Sequence, residues 1–156
     1  MPVQVKERFF EDYIVGESRT FGDYLITEEE VREFAGRYDP QPFHVDPEAA
    51  RQSHFGGLIA SGWNTAAISM RLMVDGFVSA RSSLGSPGID ELRWHQPVRP
   101  GDRLKVRSTI VEARRSRSKP DRGLLRVKYE TLNQRDEVVM SFTGMGLYRC
   151  RDAEPR

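Results

Sequence analysis

Asp39 and His44 are the side chains whose types and spacing could do acid–base chemistry together. They lie five positions apart in Tyr38-Asp39-Pro40-Gln41-Pro42-Phe43-His44. Pro40 and Pro42 remove backbone donors, fix φ and push the residues before them out of the helical region. The segment is therefore expected to be a stiff, non-helical loop that presents a carboxylate and an imidazole in a fixed relation. Such a pair can position a water molecule and move protons near neutral pH. Eighteen positions after His44, Ser61-Gly62 opens a long apolar helical pattern. A helix start exposes unpaired N–H groups and partial positive charge. An acid–base pair beside a helix N-terminus is what addition or elimination next to a carbonyl needs.

The elements that must hold these groups follow from periodicity. Arg19 to Ile26 reads as a first strand. Thr27 is the expected cap of a helix whose first turn is Glu28-Glu29-Glu30, with Glu30 closing a capping box, and the helix should stop before Asp39. Asp46-Pro47-Glu48 starts a second short helix, with Pro47 at its first position. From Gly62 to Phe77, the residues Trp63, Ala66, Ala67, Met70, Met73, Val74 and Phe77 repeat at helical spacing. Ile68 and Leu72 widen that stripe, so the helix is expected to be largely buried, with Trp63, Met70 and Met73 in the core. From Ile89 the pattern is that of strands. Leu92 and Trp94, then Leu104, Val106 and Ile110, then Leu125, Val127 and Tyr129, and finally Val138, Met140 and Phe142 each mark one face. Turns fall at Pro97–Asp102, Arg114–Gly123 and Asn133–Asp136. Helices first and consecutive antiparallel strands after them give an α+β fold.

The composition narrows the function classes. The 156 residues fit one domain. A formal charge of +1, from 24 basic and 23 acidic side chains, favours no nucleic acid or membrane partner. Mean hydropathy is −0.59, and no apolar run approaches the length of a membrane span. The N-terminus lacks the apolar core of a secretory signal. The single Cys150 fits a reducing compartment, so a cytoplasmic location is expected. His44, His54 and His95 are scattered and no metal-ligand cluster is evident, so no metal is expected.

These residues resemble the MaoC-like (R)-specific enoyl-CoA hydratase family, whose motif is Asp-x-Asn-Pro-x-His. The segment Leu58-Ile59-Ala60-Ser61-Gly62-Trp63 resembles the opening of that family's central helix, and Pro97-Val98-Arg99-Pro100-Gly101-Asp102 resembles a turn usual in it. The departure is Gln41, where the family usually has Asn. The resemblance covers about residues 15 to 149 and implies a hot-dog fold, an antiparallel sheet wrapped around the long helix. It implies that Asp39 and His44 hold a water that adds to the β-carbon of a trans-2-enoyl thioester, giving an (R)-3-hydroxyacyl thioester. The N–H of Gly62 would stabilise charge on the thioester oxygen. Coenzyme A or an acyl carrier protein enters only as part of the substrate, with no other cofactor. Sites of this family lie between subunits, which implies a homodimer, and many members serve fatty acid metabolism.

Several residues carry two readings at this point. Ser61 is a helix cap or a catalytic hydroxyl; Gln41 contacts substrate or only holds the loop; Tyr38 lines an acyl pocket or packs. The basic turn holding Arg117, Lys119 and Arg122 either binds coenzyme A phosphates or is a solvated hairpin tip. Two alternatives to hydration also stand. A hot-dog thioesterase commonly carries an acid on the central helix, and Asp75 is the only acid within this one. A non-catalytic subunit that binds acyl thioesters is the other.

Overall fold

The computed structural model describes residues 2–153. Alternation of side chains builds its sheet. Along β3 (Arg103–Arg115) the buried positions are Leu104, Val106, Ser108 and Ile110, and along β4 (Arg122–Leu132) they include Leu125, Val127 and Tyr129. With β1 (Ser18–Leu25), β2 (Gly88–Trp94) and β5 (Val138–Arg149) they form one sheet of order β1-β3-β4-β5-β2. Every neighbouring pair is antiparallel. Irregular register at Thr131/Leu132 breaks strict alternation at the start of β5, so Val139 and Met140 are the buried residues there rather than Val138 and Met140.

Among the described residues four α-helices precede or interrupt the strands: α1 (Glu28–Tyr38), α2 (Pro42–Val45), α3 (Pro47–Gln52) and α4 (Gly62–Gly76). Thr27 caps α1 by accepting from Glu30 N at 3.2 Å. The expected capping box does not close, because the Glu30 carboxylate instead accepts the Tyr24 hydroxyl at 2.9 Å. Asp46 caps α3 as expected, accepting from Glu48 N and Ala49 N.

The long helix α4 lies against the inner face of the sheet. Ile68, Leu72 and Met73 join Leu104, Val106, Val127 and Met140 in one apolar core. Gly22, at φ +92° in the β1 bulge, permits this approach, since a Cβ there would meet Leu72 at 2.9 Å. The buried side of α4 is only partly the expected one: Ile68, Leu72, Met73 and Phe77 are buried as expected, but the side is shifted around the helix. Asn64, Thr65, Ile68, Ser69, Leu72 and Met73 face inward, while Trp63 and Met70 are 58% and 47% exposed. Helical spacing located the helix but could not choose between its two apolar-bearing faces. Ser69 Oγ on this face lies 2.6 Å from Thr131 Oγ1, which removes the usual cost of burying a hydroxyl, whereas the buried Asn64 Nδ2 has no hydrogen-bond partner among the described residues.

Among the described residues no helix is long and apolar enough to cross a membrane.

Candidate active site

Three segments distant in sequence converge at the N-terminus of α4. Helix α1 ends at Tyr38, and Asp39 caps it, its N–H donating to Ala35 O at 2.8 Å. The following segment is not the non-helical loop that its prolines suggested. Pro42 begins the single turn α2, and His44 sits inside it. A proline is tolerated at the first position of a helix, where its missing N–H has no helical acceptor to lose. Ile59 N then donates to Phe43 O, and Ala60 N donates to Val98 O. These backbone bonds fix the strand of chain entering α4 between α2 and the turn after β2.

His44 is buried, and its Nδ1 lies 2.7 Å from Ile59 O. A carbonyl oxygen only accepts, so Nδ1 carries a proton and Nε2 is left to give or take one. That Nε2 lies 3.2 Å from Asp39 Oδ2. Ser61 Oγ donates to Asp39 Oδ2 at 2.8 Å, and Gln41 Nε2 donates to Oδ1 at 2.8 Å. Burial works to raise the Asp39 pKa, but the bonds from Gln41 and Ser61 and the neighbouring His44 outweigh it and hold the carboxyl below its usual range. Ser61 is also the α4 cap, accepting from Trp63 N at 3.3 Å. The hydroxyl thus joins the helix start to the acid, and the amide of Gln41 orients the acid from the other side.

Among the described residues, the Gly62 N–H has no hydrogen-bond acceptor. Gly62 is required by packing: a Cβ at this position would collide with the Trp94 indole, whose Nε1 donates to Gly62 O at 2.9 Å. A cleft of about 370 Å³ opens over this group, lined by Asp39, Gln41, His44, Gly62, Trp94 and His95 among others. Trp94, His95 and the Gln96-Pro97-Val98 stretch come from the end of β2. The sequence marked them only as strand and turn, because nothing in periodicity says which strand end lies beside α4. His95 is fixed by Ser141, with Nε2 at 2.7 Å from Oγ.

The remaining expected site residues lie elsewhere. Tyr38 is 66% exposed and packs against Phe34 with ring centroids 5.1 Å apart, outside the cleft. Arg117, Lys119 and Arg122 belong to the β3–β4 hairpin tip. Arg122 precedes Thr131 by nine positions on β4, and Thr131 pairs with Met140, which pairs with Trp94 at the cleft. At about 3.3 Å per residue the tip is about 30 Å from the cleft of its own chain. Arg122 is paired with Asp121, and Arg115 beside it with Asp152. Asp75 stands at the far end of α4, exposed and bonded to Arg71 Nε at 3.0 Å, so the central helix places no acid in the cleft. The fold does gather Glu11, buried Cys150 and Asp152, whose ligand atoms lie within 4.8 Å of one another, although the sequence showed no such cluster. Both acids are already engaged, Glu11 by Arg151 N and Asp152 by Arg115.

A family model described as the MaoC like domain matches residues 12–132. The chain belongs to the MaoC-like family. A MaoC-like dehydratase from Rhodospirillum rubrum superposes with a TM-score of 0.86 at 44% identity, covering 92% of this chain and 98% of the other. YdeM of Bacillus subtilis, an uncharacterized protein, is 31% identical over 130 residues, which is 83% of this chain and 90% of YdeM. The 3-hydroxyacyl-thioester dehydratase Z of Mycobacterium tuberculosis is 38% identical over 88 residues, 55% of this chain and 58% of that protein. Other solved structures match in fold alone, among them a double hotdogfold protein of M. tuberculosis at 16% identity and TM-score 0.83. The sheet wrapped around α4 is accordingly the hot-dog fold.

Proposed function

We propose that this MaoC-like chain is a hydro-lyase that adds water to a trans-2-enoyl thioester to form an (R)-3-hydroxyacyl thioester, and catalyses the reverse dehydration. The observation that carries this reading is the Asp39–His44 contact, oriented from behind by Ile59 O, Gln41 and Ser61 and placed beside the unpaired Gly62 N–H. At 3.2 Å the two groups leave no room for a water between them, so a water held by both lies beside the pair on the cleft side.

In this reading Asp39 stays ionised and accepts one hydrogen of that water. His44 Nε2 takes the other proton as the water oxygen bonds to the β-carbon. The electron pair of the double bond moves to the α-carbon and onto the thioester oxygen, where Gly62 N–H donates to it. A preorganised donor of this kind is worth about 3–4 kcal/mol in a transition state. His44 then returns the proton to the α-carbon from the same face, so the addition is syn and the elements of water are added overall. No oxidation or reduction occurs, and the proposed reaction calls for no cofactor beyond the carrier of the acyl group, coenzyme A or a carrier protein. A homodimer is part of the proposal: Met70, Val74 and Ile89 are exposed apolar side chains that a second copy would cover, and sedimentation of the purified protein tests it.

The decisive assay follows the absorbance of the conjugated enoyl thioester with free thiol measured in parallel. Loss of conjugation without thiol release is expected, and Asp39→Asn should reduce the rate by about 10²–10⁴ while the fold survives. Thiol release, or full hydration by Asp39→Asn, would move the assignment away from Asp39 and His44.

A further inference from the structure

Two cavities meet at Trp63. On one side of its indole is the catalytic cleft. On the other is an apolar cavity of about 290 Å³ between α4 and the sheet, walled by Met70, Met73, Leu92, Val127 and Phe142. Among the described residues Trp63 alone lines both. Its ring stands edge-on to Trp94, with centroids 5.2 Å apart and planes at 82°. Trp94 is anchored, because its Nε1 donates to Gly62 O and its ring lies against the Gly62 backbone. Trp63 is 58% exposed. Of the two indoles, Trp63 is therefore the one whose removal or rotation can join the two spaces.

The direction of α4 gives the cavity its meaning. Ala66, Met70 and Met73 follow Trp63 along one side of the helix and line the same cavity. From Trp63 to Met73 the helix advances about 15 Å. An acyl chain whose carbonyl accepts from Gly62 N–H and which runs along α4 meets Trp63 first and the cavity next. Each methylene drawn into such a space favours binding, so what stands at its entrance sets the usable chain length.

We infer, on the basis of the thioester reading above, that Trp63 is the acyl-length gate of this chain. Packed against Trp94 it confines the catalytic cleft to short acyl groups, and the apolar cavity behind it is the space that longer chains occupy once the gate is removed.

The test compares kcat/KM for trans-2-butenoyl-CoA and trans-2-decenoyl-CoA in the wild-type chain, Trp63→Ala and Trp63→Phe. The wild-type chain is expected to favour butenoyl-CoA. Trp63→Ala should raise the decenoyl-to-butenoyl ratio by at least about tenfold, a discrimination within reach of an apolar pocket. Trp63→Phe keeps a ring that can face Trp94, and its decenoyl-to-butenoyl ratio should rise less than that of Trp63→Ala. If Trp63→Ala melts early, Trp63→Leu takes its place, with a rise expected in the same direction. An unchanged ratio in the folded variant, or a wild-type preference for decenoyl-CoA, overturns the gate. If the wild-type chain hydrates neither substrate, the hydration reading fails for coenzyme A thioesters, and calorimetric titration with butyryl-CoA and decanoyl-CoA reads the gate separately. A decanoyl gain of at least about tenfold in Trp63→Ala then supports it, while equal gains or no binding of either ligand overturn it.

Discussion

At the end of the sheet beside the α4 N-terminus, a carboxylate is held by neutral donors. Asp39 receives bonds from Gln41 and Ser61, and it faces an imidazole whose other nitrogen is tied to a backbone carbonyl. About 30 Å away, at the β3–β4 hairpin tip, Asp121 meets Arg122 across an ordinary surface ion pair. Both carboxyl groups are held below the usual range, but for different reasons. At Asp121 the bond to Arg122 lowers it with little burial to oppose it. At Asp39 burial opposes ionisation and is overcome by fixed bonds and by His44. A surface pair is screened by salt and its loss changes little. A partly enclosed carboxylate oriented by several groups is preorganised, which is the property catalysis draws on. Charge density alone would have singled out the tip; burial and hydrogen bonding single out the cleft.

The largest break in this contrast comes from His44→Ala. It removes the proton carrier and leaves Ile59 O without its partner. Hydration should fall by about 10²–10⁴, and denaturant titration should show a loss of about 1–3 kcal/mol from the unpaired buried carbonyl. Activity near wild type would remove His44 from the mechanism.

Ser61→Ala should act more gently and in two ways. Loss of the α4 cap costs about 1 kcal/mol in thermal or denaturant unfolding. Loss of a donor to the ionised form raises the Asp39 pKa, so the acid limb of the pH–rate profile should move to higher pH. The sign of the stability effect follows from linkage. The folded pKa lies below the ordinary value of an aspartate carboxyl, so the contribution of Asp39 is present above that ordinary value and is lost as pH falls through the folded pKa. With the depression reduced, Ser61→Ala keeps less of that contribution. An unmoved acid limb would show that Ser61 serves only the helix.

The smallest effect is expected at the tip. Arg117→Ala combined with Lys119→Ala should leave kcat/KM unchanged and stability within about 0.5 kcal/mol. A tenfold rise in KM for a coenzyme A thioester, without a change for a truncated one, would bring the tip into the binding site of a second subunit and erase the contrast drawn above.

Most of the strands and the starts of α1, α3 and α4 could be read from local signals, while the single turn α2 was expected to be non-helical. Thr27, Asp46, Ser61 and Pro47 act within a turn of their own position, and alternation along β3 and β4 reports one buried face. The Asp39–His44 pair was legible for a similar reason, since the five peptide bonds between them and two prolines limit how far apart the groups can be. What was misread depended on contacts between distant segments. The inward face of α4 was set by Thr131 and the β1 bulge, and the Glu30 carboxylate was taken by Tyr24.

By itself, then, the sequence determined the α+β class, the helix that carries Gly62, and the proximity of an acid to an imidazole, because each rests on local dihedral and hydrogen-bonding preferences. Only the tertiary structure decided that Ile59 O holds the His44 proton in place, that Ser61 and Gln41 hold Asp39, and that Trp94 covers Gly62 while Trp63 divides the cleft from an apolar cavity. It also placed the basic tip far from the cleft of its own chain. Those outcomes depend on strand order and on how a helix is rotated against a sheet, which are set by packing summed over the whole core rather than by any one segment.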